Sequence, residues 1–153
     1  MLVFSDNDAF TRLFNTFRRT YIDQWAAEAN VEPECIQYKY PRICTRDLFR
    51  LWIRNYEFFT TDPNGEICAS WMREPEYSLI HSEFEGLYVT ESKAGWMVDD
   101  NPQHTTTIDA GIVHADSGTY IVVIESNVPR DIEPLRPLLQ ALNHAHDEMT
   151  AIG

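Results

Sequence analysis

This chain is short of positive charge, and it has no long apolar run. Its 153 residues include 12 lysines and arginines against 24 aspartates and glutamates, a formal net charge of −12. So small a basic complement excludes a nucleic-acid footprint, which needs a clustered cationic face to neutralise phosphates. It also disfavours docking on an anionic membrane surface. No stretch of about 18 apolar residues occurs, so no membrane-spanning helix is expected. The first residues lack the basic segment and apolar stretch of a secretory leader, and as written the chain reads as cytoplasmic. Cysteine is scarce too: Cys35, Cys44 and Cys68 show no C-x-x-C spacing. A Cys35–Cys44 bridge would suit an exported protein, whereas buried free thiols suit a cytoplasmic one. His144, His146 and Asp147 lack a further ligand at usable spacing, because positions i and i+2 of a helix do not face each other. His81, His104 and His114 are scattered, so neither a metal nor another cofactor is expected.

What is present is globular. A composition 44 % hydrophobic and 12 % aromatic suits one ordinary domain with its own core. Phe10, Leu13, Phe14, Phe17 and Tyr21 recur at helical spacing, predicting a helix from about Asp8 to Asn30, broken near Asp23. "NVEPECIQYKYPRIC" has two prolines and no sustained period, and reads as a loop. "TRDLFRLWIRNYEFF" predicts a helix capped by Thr45, with Asp47 in its first turn and Leu48, Trp52, Tyr56 and Phe59 as its buried stripe. "EICASWMREPEYSLIHSEF" predicts two short helices split at Pro75. From Glu85 the period changes to two: "GLYVTESKAG", "TTIDAGIVHAD" and "TYIVVIES" read as strands, the last two joined at Asp116-Ser117-Gly118. The continuous apolar run Tyr120–Ile124 predicts a strand covered on both faces. A closing helix places Ile132, Leu135, Leu138, Leu139, Leu142 and Met149 on one side. The expected fold is α+β in a single domain: a helical part over 1–84, then three antiparallel strands and a C-terminal helix over 85–153.

Two short motifs carry the functional reading. Ser5-Asp6-Asn7 opens a helix, and Lys93-Ala94-Gly95 ends a strand, a cation beside a glycine that lets a ligand approach the backbone. In this order and setting the chain resembles the penicillin-recognising serine hydrolases, the class A β-lactamases and their relatives. "FSDNDAFTRLF" is similar to that family's S-D-N helix and "TRDLFRLW" to its T-x-x-D-L helix. "YVTESKAGW" is similar to its K-T-G strand, and "TIDAGIVHADSGTYIVVIESN" to the hairpin that follows. The resemblance implies that Ser5 relays protons, that Asn7 holds the substrate amide and that Asp6 is structural. It implies that Lys93 attracts the substrate carboxylate, while Gly95 and the Trp96 N–H shape the oxyanion site.

The departures from the family pattern matter as much. Its nucleophile is the serine of an S-x-x-K pair, in which a lysine one helical turn on accepts the hydroxyl proton. No such pair on a helix exists here. "TESK" has the spacing in a strand, where Thr90 and Lys93 face opposite sides. Only four residues precede Ser5, so the nucleophile's half of the fold is absent from this sequence. "VEPECI" offers Glu32-Pro33 in place of the family's E-P-x-L-N, but with Ile36 for the asparagine. Ala94 replaces the hydroxyl residue of K-T-G. These losses predict a homologue that is not catalytic as an isolated chain, poorly stable as a lone monomer. Its Tyr120–Ile124 edge is expected to pair with a second copy or with a complementing N-terminal fragment. The alternative is an acyl-transferring hydrolase of β-lactams, D-alanyl peptides or esters, whose nucleophile comes from upstream sequence or another chain. If the motifs are coincidental, Ser5 and Lys93 have no reason to share a cleft.

Overall fold

The alternating segments after residue 88 form one antiparallel sheet in a computed structural model, which describes residues 1–17, 21–32, 39–101, 104–128 and 130–152. Its order is β1 (Val89–Met97), β2 (Thr106–Ala115) and β3 (Gly118–Ser126). β2 and β3 are joined by Asp116 and Ser117, with Ala115 paired to Gly118. Gly118 has φ +130°, where a side chain would be strained, so glycine suits the tight return.

Directly paired residues of an antiparallel sheet point to the same side. Glu91 with Ile112 and Lys93 with Ala110 therefore share one face; Thr90 with Val113, Ser92 with Gly111 and Ala94 with Asp109 share the other. On the first face lie α3 (Thr45–Thr61) and α4 (Gly65–Met72). Trp52 is buried there against Ala110 and Ile112, with Leu48, Tyr56, Phe59, Ile121 and Val123 around it. The stripe predicted for this helix is the one it buries. The second face is covered by α5 (Leu79–Phe84) and α6 (Arg136–Ala151), where Leu79, Ile80, Phe84, Leu135 and Leu139 meet Val113, Val122 and Ile124. The run Tyr120–Ile124 is thus covered on both faces, as its continuous apolarity predicts. α1 (Asn7–Phe17) and α2 (Asp23–Glu28) complete the helices, and Ala26, Ala29 and Val31 join Leu51 of α3 in a small separate core. The architecture is α+β, a three-stranded antiparallel sheet with a C-terminal helix packed on it.

Several local expectations need correction. The first predicted helix divides as expected, its second part α2 beginning at Asp23, but it ends at Glu28 rather than Asn30; residues 18–20 lie outside the described residues. Thr45 is the first helical residue rather than the cap. Cys44 occupies the extended cap position without a side-chain cap bond, and the Thr45 hydroxyl donates to Glu125 of β3 instead. α5, grouped by sequence with the helical part, sits on the opposite face from α3 and α4. The reason is a carboxylate in the sheet: Asp109 Oδ2 accepts from the Ile80 N–H at 3.0 Å and the Ser78 hydroxyl at 2.9 Å, anchoring the start of α5 there.

The closing helix buries less than its periodicity promises. Leu135 and Leu139 are buried, yet Leu138, Leu142 and Met149 are 47 %, 39 % and 75 % exposed. Periodicity reports which side chains favour burial; whether a neighbour exists to cover them is a tertiary matter, and beyond β3 no further strand follows among the described residues. Cys44 is an exposed free thiol and Cys68 a half-buried one, so neither is the buried thiol expected, and the bridge is not formed at Cys44. Cys35 lies outside the described residues, as does the rest of the segment 33–38. Among the described residues no helix is long and apolar enough to cross a membrane.

Candidate functional site

The N-terminal segment is placed by three local constraints. The Val3 carbonyl accepts from the Glu76 N–H at 3.1 Å, tying the segment to the loop before α5. Asp6 Oδ1 accepts from the amides of Asp8 at 2.9 Å and Ala9 at 3.0 Å, which caps α1. Those amide donors hold the Asp6 carboxyl below its ordinary range. Between them Ser5 takes φ +49°, in the left-handed region that serine rarely visits. Such a conformation costs on the order of 1–3 kcal/mol and persists where its surroundings over-determine it.

Ser5 is held against the sheet. Lys93 Nζ lies 2.5 Å from Ser5 Oγ and donates to the Ala94 carbonyl at 2.6 Å, joining residues 88 apart in sequence. Lys93 is half-buried on the face that carries α3 and α4. Burial pushes its pKa below that of an ordinary lysine, and the charge of Asp109 works in the opposite direction. The ammonium is thus partly stripped of water and short of compensating charge, which favours an arriving anion.

The remaining predicted site residues divide around this pair. Asn7 is exposed at the first position of α1, two residues from Ser5. β1 continues to Met97, and Gly95 lies within it, paired with Ile108. It shares the Lys93 face, and a Cβ built there would meet nothing within 4 Å, so open space adjoins the lysine. Trp96 has its side chain on the opposite face, 44 % exposed and edge-on to Tyr77 at 5.7 Å. Only its backbone is left to share the Lys93 side. Ala94 is buried.

Beneath the site lies a polar cluster that the sequence reading missed. Asp109 is fully buried, and Ser78 Oγ, one of its donors, is 2.7 Å from Ser92 Oγ. Burial pushes the Asp109 carboxyl up to about 6. Its Oδ1 has no hydrogen-bond partner among the described residues. On the Lys93 face, Glu91 is buried between Arg73 Nε at 2.9 Å and His114 Nε2 at 2.5 Å. The available signal was two acids, each set inside a predicted strand, where burial demands a partner.

Other candidates are dispersed. Glu32 is exposed, and the residues that follow it in its motif lie outside the described residues. His144 meets Glu148 at 3.3 Å, whereas the His146 ring stacks on Tyr120 at 4.4 Å. Among the described residues no three metal-ligating side chains gather. Compared with known proteins, the chain matches no family model, no curated protein and no solved structure.

Proposed function

We propose that this chain is a penicillin-recognising serine hydrolase homologue that binds a carboxylate-bearing acyl compound and does not cleave it alone. One observation carries the reading: Ser5 and Lys93, singled out from separate motifs, touch across 88 residues of sequence. Coincidental motifs have no reason to meet. In this reading the Lys93 ammonium receives the ligand carboxylate in the open space beside Gly95, and the exposed Asn7 amide meets a ligand amide. Ser5 donates to the bound ligand as a relay without a nucleophile to serve. The Trp96 N–H is the oxyanion donor that the resemblance implies. Ser5 has Asp8 three residues on, not lysine, so it is not the serine of an S-x-x-K pair.

The test is binding measured apart from turnover. Benzylpenicillin titrated into the purified chain should give a saturable calorimetric signal, with no loss of the β-lactam absorbance over hours. Lys93→Met should weaken that binding at least about tenfold, since a charge-assisted hydrogen bond to a carboxylate is lost. Absence of any saturable signal from the folded wild-type protein sinks the reading. A second reading, a hydrolase completed by another chain, is favoured by the unpaired outer edge of β3. It requires ring opening to begin when the completing chain is added.

A further inference from the structure

Among the described residues strand β3 is paired on one side only, with β2. Every second residue of such an edge points its N–H and C=O outward, a template for another strand. An open groove of about 490 Å³ runs beside it between α3 and α6. Its apolar lining includes Phe49 of α3, Ile121 and Val123 of β3, and Leu142 and Met149 of α6. On α6 the stripe is periodic: Leu138, Leu142, Ala145 and Met149 follow at steps of four, three and four, and all four are exposed. Phe49 is 39 % exposed and Met149 75 %. A free strand edge and an apolar helix flank thus form one continuous surface.

Charge and register select the occupant. Among the described residues no acidic side chain lines this groove, whose titratable lining besides Tyr120 is Arg46 and His146. With no carboxylate in its lining, it is a surface on which two copies of so acidic a protein approach with little repulsion. The strand is also compatible with itself. Antiparallel pairing about Val122 sets Glu125, its only charged residue, opposite Thr119, and keeps Ile121 opposite Val123 on the α3 side. The same two-fold brings each α6 stripe against its own counterpart, as an isologous contact requires. We propose that a second copy of this chain occupies the groove, pairing β3 with β3 in an antiparallel dimer. This inference does not depend on what Lys93 binds.

Sedimentation of the purified full chain at 10–100 µM is expected to show a species of twice the chain mass. Its fraction should rise between 0.05 and 0.5 M sodium chloride, as salt screens the repulsion of two chains of charge −12. Hydrogen exchange should show residues 119–125 gaining protection with concentration. Leu142→Glu, at an exposed position that leaves the core intact, should weaken association at least about tenfold with the circular dichroism unchanged. A monomer at 100 µM in high salt overturns the proposal, as does a dimer indifferent to Leu142→Glu or without added protection over 119–125. A monomer that instead takes up a synthetic apolar strand peptide along the same residues assigns the groove to a different chain and also overturns it.

Discussion

Two adjacent residues of β1 lead to two different chemistries. Ser92 points to the face covered by α5 and α6, and with half-buried Ser78 and fully buried Asp109 forms a cluster covered by the start of α5. Lys93 points to the other face and meets Ser5 at a half-buried, accessible position beside open space. Both clusters are polar, and both join segments far apart in sequence. They differ in what their polar groups have left to do. In the closed cluster the donors of Ser78 and Ile80 are consumed in fixing α5, so its role is architectural. In the open one a desolvated ammonium leans on a single hydroxyl and one carbonyl, and can still take an anion. A polar cluster inside a sheet is therefore a functional candidate only where a ligand can enter.

The sharpest way to break the comparison is to crowd the closed side. At Gly111, paired with Ser92, an added Cβ would stand 2.6 Å from the Glu91 carbonyl oxygen and 2.7 Å from Ser92 Cβ. The nearest atom belongs to the backbone and cannot swing away. Gly111→Ala should cost about 3 kcal/mol or more, read from the denaturant midpoint.

Next in size is the pH response of Asp109. Its carboxyl is raised from 3.8 to about 6 by burial, so the folded protein retains a proton that the unfolded chain has released. The stabilisation is therefore complete below about 3.8 and is lost as the pH climbs through about 6. A shift of about two units corresponds to about 3 kcal/mol across that window. Carboxyls held low by amide or arginine partners, such as Asp6 and Glu66, act with the opposite sign. The informative quantity is the difference between wild type and Asp109→Asn. Unfolding at pH 4 and pH 7 should show the variant gaining on the wild type as the pH rises; parallel curves would remove the titration.

The smallest stability effect belongs to the open side. Lys93→Met keeps the side-chain stem and removes a half-desolvated charge, so stability should move by no more than about 0.5 kcal/mol. The same variant should lose ligand binding. A large destabilisation by Lys93→Met would erase the contrast between the two faces and make the lysine a structural cation.

How much of this was legible follows from the range of each force. Trp52 and its stripe were read correctly because helical periodicity and burial agree along α3. The hairpin of β2 and β3 was legible because alternation and a two-residue turn are local. Thr45 was misread as the cap because its residue type caps well, whereas the helix starts at Thr45 itself, with Cys44 at the cap, and the Thr45 hydroxyl donates to Glu125, 80 residues away. Asp109 was missed because nothing near it in sequence announces that it fixes the start of α5, 29 residues earlier. Gly95, read as the end of its strand, proved to lie within it, since β1 runs on to Met97, and the space beside the glycine was not legible. The C-terminal stripe was correct as chemistry and wrong as burial, since Leu142 and Met149 favour a partner that the chain does not itself supply among the described residues.

By itself the sequence determined the α+β class, the order of helices and strands, the acidic surface and the two motifs that hold Ser5 and Lys93. These depend on hydrophobic period, capping chemistry and residue identity, all of which act within a few positions. Tertiary structure alone decided that Ser5 meets Lys93, that Asp109 anchors α5 on the far face of the sheet, and that the edge of β3 lies open in an apolar groove. Each of those depends on which distant atoms are brought together once the chain folds, and no local preference encodes a distance across 88 residues.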